Sequence, residues 1–209
     1  MILDTMSSET PQQSKRAQQA QATRRRIFEQ ARRLLEERGY HGVGMGEIAS
    51  AAGITRAALY LHFDSKTSLL LQLVEWVDQV EGLAGLLAPL SETADPIARL
   101  DLAIELPARY EPRIHKLALA LDTLRQTDEA AAAAWNDRMA ARRGYARSLI
   151  DQLADNGLLR TGITRDAATD VVWTLIGVHF YHDLVVERGW PIKRFVKLSQ
   201  QLAHAAVLK

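Results

Sequence analysis

The residues best placed to do chemistry sit in one stretch, Glu47-Ile48-Ala49-Ser50-Ala51-Ala52-Gly53-Ile54-Thr55-Arg56-Ala57-Ala58-Leu59-Tyr60. Two short helical patterns flank a glycine there, which is the form of a helix-turn-helix. Ala49 is small enough for a second helix to cross closely over it, and Gly53 can take the positive φ that the turn requires. Ile48, Ile54 and Leu59 recur at spacings that bury them between the helices. Thr55 can cap the second helix, leaving its first amides and side chains facing outward. Such a helix end suits phosphate oxygens, and its first residues can reach base edges in a major groove. An ordinary helical hairpin with a glycine turn has the same Ala-x-x-x-Gly spacing, so the stretch alone leaves both readings open.

Other constellations carry less. His179, His182 and Asp183 share one helical surface by their spacing and could hold a metal, but with no further ligand in view a core or interface role is expected, and no metal. No Ser/His/Asp pattern, phosphate loop or pair of carboxylates stands out, so neither an enzyme nor a cofactor is expected. The chain has no cysteine, which excludes a disulfide scaffold, a thiolate zinc site, an iron–sulfur cluster and cysteine nucleophilic catalysis.

The elements that must position these residues are helical. From Thr23 to Arg38 the apolar residues Ile27, Phe28, Ala31, Leu34 and Leu35 form one helical face, closed by Gly39. Short helices follow over Met45 to Ala52 and Thr55 to Leu61, and Ser65 caps a long helix that ends before Pro89. Asp95-Pro96 and Glu111-Pro112 each read as a helix start, and a long helix from about Asp128 closes at Asn156-Gly157. Thr164 or Asp166 opens an apolar helix ending near Gly189, and Pro191 starts the last, with Phe195, Leu198, Leu202 and Ala206 on one face. About nine helices and no strand make the expected fold class all-α. The longest apolar tract, Val171 to Val186, is interrupted by His179, His182 and Asp183 and falls short of the roughly 20 apolar residues of a membrane span. Residues 1–21 are polar and Gln/Ser-rich, without the apolar centre of a signal peptide, and are expected to form a disordered arm on a cytoplasmic protein.

With 47% hydrophobic and 24% charged residues the 209-residue chain is too apolar for disorder. A net charge of +1, taken alone, argues against a nucleic-acid partner. The distribution reverses that inference: residues 1–66 hold 10 Lys+Arg against 7 Asp+Glu, and residues 67–209 hold 16 against 18. A basic head precedes an acidic body, as in a DNA reader with a separate sensing domain.

The flanks of the stretch decide its reading. Gly39-Tyr40 before it, and Leu59-Tyr60-Leu61-His62-Phe63-Asp64-Ser65-Lys66-Thr67-Ser68-Leu69-Leu70 after it, resemble the DNA-binding domain of the tetracycline-repressor (TetR) family, over roughly Thr23 to Leu71. The resemblance implies that Thr55, Arg56 and Ala57 head a recognition helix, with Arg56 the candidate for a base contact, since a guanidinium binds guanine bidentately. It implies phosphate contacts by Tyr60, His62 and Lys66. One departure is Val43-Gly44-Met45-Gly46, where the family usually has a Ser or Thr cap. Gly44 offers no hydroxyl, so the clamp on this side falls to backbone amides or to Arg24, Arg25 and Arg26; Met45 is expected to pack inward.

In that family the remaining helices bind an effector and dimerise. On the resemblance, Trp76, Tyr110, Leu117, Leu121, Trp135, Met139 and Trp173 lie on cavity-lining helices, suiting a hydrophobic effector, although each residue taken singly is more readily core. Arg109, Asp122 and Arg142 have no orientation readable from sequence. Val172, Ile176, Gly177, Phe180, Leu184, Phe195 and Leu202 are the expected dimer interface, the alternative being a fully buried central helix. The expected organisation is an arm over 1–21, a DNA-binding domain over 22–66 and an effector and dimerisation domain over 67–209. The implied function is a homodimeric repressor on a pseudo-palindromic double-stranded operator, released by a small molecule. The rivals are an activator or constitutive DNA binder, and a helical carrier or enzyme that does not bind DNA.

Overall fold

The computed structural model describes residues 11–209. They form α1 (Pro11–Arg38), α2 (Met45–Ala51), α3 (Arg56–Tyr60), α4 (Lys66–Val80), α5 (Leu83–Glu92), α6 (Pro96–Leu124), α7 (Glu129–Asp155), α8 (Arg165–Leu175), α9 (Val178–Tyr181), a π-helical turn (His182–Glu187) and α10 (Ile192–Val207). An isolated bridge between Leu159 and Leu208 is the only β pairing among the described residues, so the fold is all-α as the sequence predicts. Residues 11–21, read from sequence as part of a disordered arm, continue α1; residues 1–10 lie outside the described residues. No helix among the described residues is long and apolar enough to cross a membrane.

The chain divides into two compact units, Met1–Leu69 and Leu70–Lys209. The division falls just inside α4, three residues beyond the boundary expected from sequence.

In the first unit, Ile27, Phe28, Ala31, Leu34 and Leu35 of α1 are buried, as their spacing predicts, with Met45, Ile48 and Ala49 of α2, Leu59 of α3 and Phe63. The Phe28 and Phe63 rings stand 5.4 Å apart at a tilt, so a loop aromatic completes the core that α1 begins. At the helix-turn-helix turn Gly53 has φ +68°, and the Ile54 N–H donates to the Ala49 carbonyl at 3.0 Å, closing α2.

The second unit packs α6, α7, α8 and α10 around Leu100, Ala103, Ile104, Leu149, Ile150, Leu153, Ala168, Val172, Ala203 and Val207. Its helix starts follow the predicted chemistry. Asp95 accepts from the Ile97 and Ala98 amides ahead of Pro96, Asp128 accepts from Ala131, and Thr164 accepts from Ala167.

Three expectations fail, each for a tertiary reason. Glu111-Pro112 does not open a helix; α6 runs unbroken for 29 residues through Pro107 and Pro112, forgoing the amide bonds those prolines cannot make. The helix expected to run from Ser65 to Pro89 stops at Gly82, whose φ of +70° starts α5, with Pro89 inside it. The helix expected from Thr164 to Gly189 breaks at Gly177, which adopts an extended ψ of 149°. A β-carbon there would lie 3.1 Å from the Thr174 carbonyl oxygen and 3.3 Å from Arg142 Nη1. Gly177 therefore admits an arginine of its own chain, not a partner helix.

The same unit corrects part of the expected dimer interface. Val172, Ile176 and Phe195 are buried within the single chain. On α10 the inward stripe is Phe195, Ser199, Ala203 and Val207, one position off the expected one from Leu198 onward. Ser199 is tolerated inside because its hydroxyl donates to the Phe195 carbonyl at 2.7 Å. Leu202 is 41% exposed.

Candidate nucleic-acid interface and internal cavity

The first unit offers the tip of α3. Thr55 caps it, its hydroxyl accepting the Ala58 amide at 3.1 Å, which sets where α3 starts. Arg56, Ala57 and Tyr60 are exposed. Arg56 and Tyr60 are one turn apart, and the guanidinium carbon lies 5.7 Å from the ring centre. Leu61, next to them, is 87% exposed. His62 is half-buried with its ring 6.3 Å from Phe63.

The basic residues of this unit are unequal. Arg25, Arg32, Arg33 and Arg38 are paired with Glu29, Glu36, Glu37 and Glu47. Arg24 lies over the Phe63 and Phe28 rings at 4.9 and 5.5 Å. Arg56 has no ion pair among the described residues, which leaves its charge uncompensated at the helix tip. Lys66, expected to present its ammonium to a phosphate, donates to the Tyr40 carbonyl and sits 4.0 Å over the Tyr40 ring. Partial burial lowers its pKa, opposed by the field of Glu47.

Gly44 is the N-cap of α2 as read, but its own amide is not available to a ligand. It donates to Glu47 at 2.8 Å, and Arg38 donates to the other carboxylate oxygen at 2.9 Å. Those bonds, the Gly44 amide first, hold the Glu47 carboxyl below its usual range. Met45 is buried, as expected.

The second unit forms a partly open cavity of about 380 Å³ between α4, α5, α6, α7 and the Ile176–Val178 break. Of the seven residues expected on its wall, Tyr110, Leu117, Leu121, Trp135 and Met139 line it. Trp76 and Trp173 do not, although the Trp173 indole donates to the Met139 carbonyl at 3.3 Å and supports the wall from behind. Ile176, assigned to the dimer interface by sequence, lines the cavity instead.

The polar wall is Asp78, Glu111, Arg138 and Arg142; sequence reasoning left Arg142 unoriented and missed the other three. Asp78 is satisfied, taking an ion pair from Arg138 at 2.7 Å and the Tyr110 hydroxyl proton. Burial, then the bond to Asp78, push the Tyr110 hydroxyl well above its usual pKa. Glu111 is 7% exposed and its Oε2 has no hydrogen-bond partner; burial pushes its pKa up to about 7, against the field of Arg142. Arg142 lies over the Trp173 ring at 4.5 Å, with its buried Nε unpartnered. Of the other residues sequence left unoriented, Arg109 is exposed and Asp122 pairs with Arg125 and with His179 at 3.2 Å. His182 faces Glu187 at 3.3 Å, and among the described residues no cluster suited to a metal occurs.

The sequence profile of the bacterial regulatory proteins of the tetR family matches residues 27–73. The regulator AcrR of Shigella flexneri is 44% identical over 61 residues, which span 29% of this chain and 28% of AcrR. The regulator CymR of Pseudomonas putida is 28% identical over 169 residues, spanning 79% of this chain and 80% of CymR. The fold matches a Saccharomonospora viridis protein, described as a transcriptional regulator and solved with choline, at a TM-score of 0.75 and 22% identity over 90% of this chain and 99% of that one. Residues 27–73, with the helix-turn-helix among them, thus carry the signature of the tetR family of bacterial regulatory proteins, and the chain shares the fold of the Saccharomonospora viridis protein along nine-tenths of its length.

Proposed function

We propose that the chain is a homodimeric, ligand-responsive transcriptional repressor of the cytoplasm, binding a pseudo-palindromic DNA operator. The observation that carries this reading is the presence, in one chain, of a helix-turn-helix with an uncompensated arginine at its tip and a largely apolar cavity of about 380 Å³. That volume lies in the range of small-molecule sites. The choline complex of the Saccharomonospora viridis protein supports a ligand role for the body of this fold.

In this reading two copies of α3 enter successive major grooves about 34–36 Å apart. Arg56 reads a base edge while Tyr60, His62 and Arg25 hold phosphates; an exposed pair such as Arg25–Glu29 exchanges its carboxylate for a phosphate at little cost. Thr55 and Ala57 set the approach of the backbone. Gly44 and Lys66 act through the head's own structure, and Arg24 through its stacking on Phe63. The dimer face is assigned to the apolar residues left outside the core: Val186, Ile192 and Leu202, each between 38% and 42% exposed, with Phe180 and Leu184 beside them. Effector binding shifts the dimer towards a spacing unsuited to DNA. The carrier is α4, which begins with Lys66 in the first unit and presents Val74, Val77 and Asp78 to the cavity.

The test is a gel-shift titration of the purified chain against DNA upstream of its own gene, with sedimentation equilibrium alongside. A retarded complex of two chains per site, weakening steeply with salt, is expected. A monomer at micromolar concentration, or no complex with any upstream fragment, overturns the reading. A reporter whose expression falls on deletion of the regulator identifies an activator instead.

A further inference from the structure

Two ionisable groups on the cavity wall each keep a buried polar atom without a hydrogen-bond partner among the described residues. Asp78, Arg138 and Tyr110 form a closed set. Glu111 and Arg142 do not. Both line the cavity, each feels the other's field, yet no hydrogen bond or ion pair within 4.0 Å joins them. Glu111 Oε2 is a buried acceptor without a donor, and Arg142 Nε–H is a buried donor without an acceptor. Groups left in that state at a low-dielectric wall are costly, and a bound molecule that satisfies them gains what the empty wall lacks.

The signs restrict that molecule. An ammonium placed against Glu111 meets Arg142, and a carboxylate placed against Arg142 meets Glu111; either brings like charges together where water does not screen them. A neutral group with one donor and one acceptor offends neither, donating to Glu111 and accepting from Arg142. The rest of the wall, including Val74, Val77, Leu117, Leu121 and Met139, offers apolar surface. We infer that the cavity selects an apolar molecule bearing one uncharged hydroxyl or amide, seated between Glu111 and Arg142, an inference that rests on the ligand-sensing reading above.

Four probes that differ in one group test it: para-butylphenol, para-butylanisole, para-butylbenzoate and para-butylbenzylamine, titrated calorimetrically into the full chain at pH 8. The phenol should bind about tenfold or more tighter than each of the others, the scale of a hydrogen bond to a charged group. Glu111→Leu and Arg142→Met should each reduce the preference for phenol over anisole to less than about threefold, while Glu111→Gln, which keeps an acceptor, retains part of it. If Arg142→Met does not fold, Glu111→Leu carries the test, since it places an apolar side chain on an apolar wall. Equal binding of phenol and anisole overturns the inference and leaves ligand sensing intact. Tightest binding of the benzoate or the amine overturns it in favour of a single charged anchor. Binding of none of the four, with no rise in melting temperature, overturns the inference and the ligand-sensing reading together.

Discussion

Arg56 and Glu111 are both ionisable groups without an ion pair among the described residues, one outside and one inside. Arg56 has only the Tyr60 ring for company, so its removal leaves no buried group unpaired. Arg56→Ala should therefore leave the melting temperature unchanged. It should weaken operator binding by about 1–3 kcal/mol and change non-specific binding little, as titrations of operator and scrambled DNA would read. Equal losses on both DNAs would remove Arg56 from base readout. Glu111 has the opposite signature. Burial raises its carboxyl to about 7 from an ordinary 4.5, so the folded chain holds a proton that the unfolded chain has released over that interval. The sign follows: its contribution to stability is greatest below about pH 4.5 and is lost as pH rises through about 7, a change on the order of 3 kcal/mol. Glu111→Gln should be near neutral at pH 4.5 and stabilising at pH 8, measured by denaturant unfolding of both proteins. A variant that destabilises equally at both pH values would show that the carboxyl is not held neutral by burial.

At the scale of elements, local signals were legible and tertiary ones were not. The turn between α2 and α3 was readable because Gly53 needs its positive φ whatever surrounds it. Gly53→Ala should cost about 1 kcal/mol in thermal unfolding, from backbone strain alone, because no atom lies within 4 Å of a β-carbon there. The caps Asp95, Asp128 and Thr164 were readable for the same reason: each acts within three residues. Glu111-Pro112 shows the limit. Its local grammar is that of a helix start, but the packing of α6 carries the helix through and turns Glu111 into the buried acid of the cavity. The α10 stripe fails similarly, since apolarity alone points to Leu202, and only the bond from Ser199 back to Phe195 makes a serine the inward residue. Five aromatic and apolar wall residues follow from the family resemblance, whereas Asp78, Glu111 and Arg138 were missed and Arg142 left unoriented, because no period marks a charge that faces inward.

For the whole molecule the charge distribution, not the net charge of +1, carries the functional signal. The proposed dimer face is likewise assigned by subtraction, to apolar side chains that folding leaves uncovered. Paired Val186→Glu and Leu202→Glu substitutions should leave the monomer's helicity intact, because both residues are already about 40% exposed. They should shift sedimentation to the monomer and with it abolish tight operator binding; a dimer that persists would place the interface elsewhere. One more consequence follows from the arginine–aspartate lattice on α7 and α8, where Arg143, Arg147 and Arg165 link Asp151, Asp155, Asp166 and Asp170. It clamps one side of the cavity, whereas α5 buries only Leu90, starts from a left-handed glycine and contains a proline. The two walls thus differ in how readily they breathe. Amide hydrogen exchange should be fastest along α5 and slowest in the α7–α8 pair, and a sensed molecule would come and go past α5 at the pace of that opening. On the proposed sensing reading, the speed of response would then be set by the opening of α5, not by the affinity of the cavity.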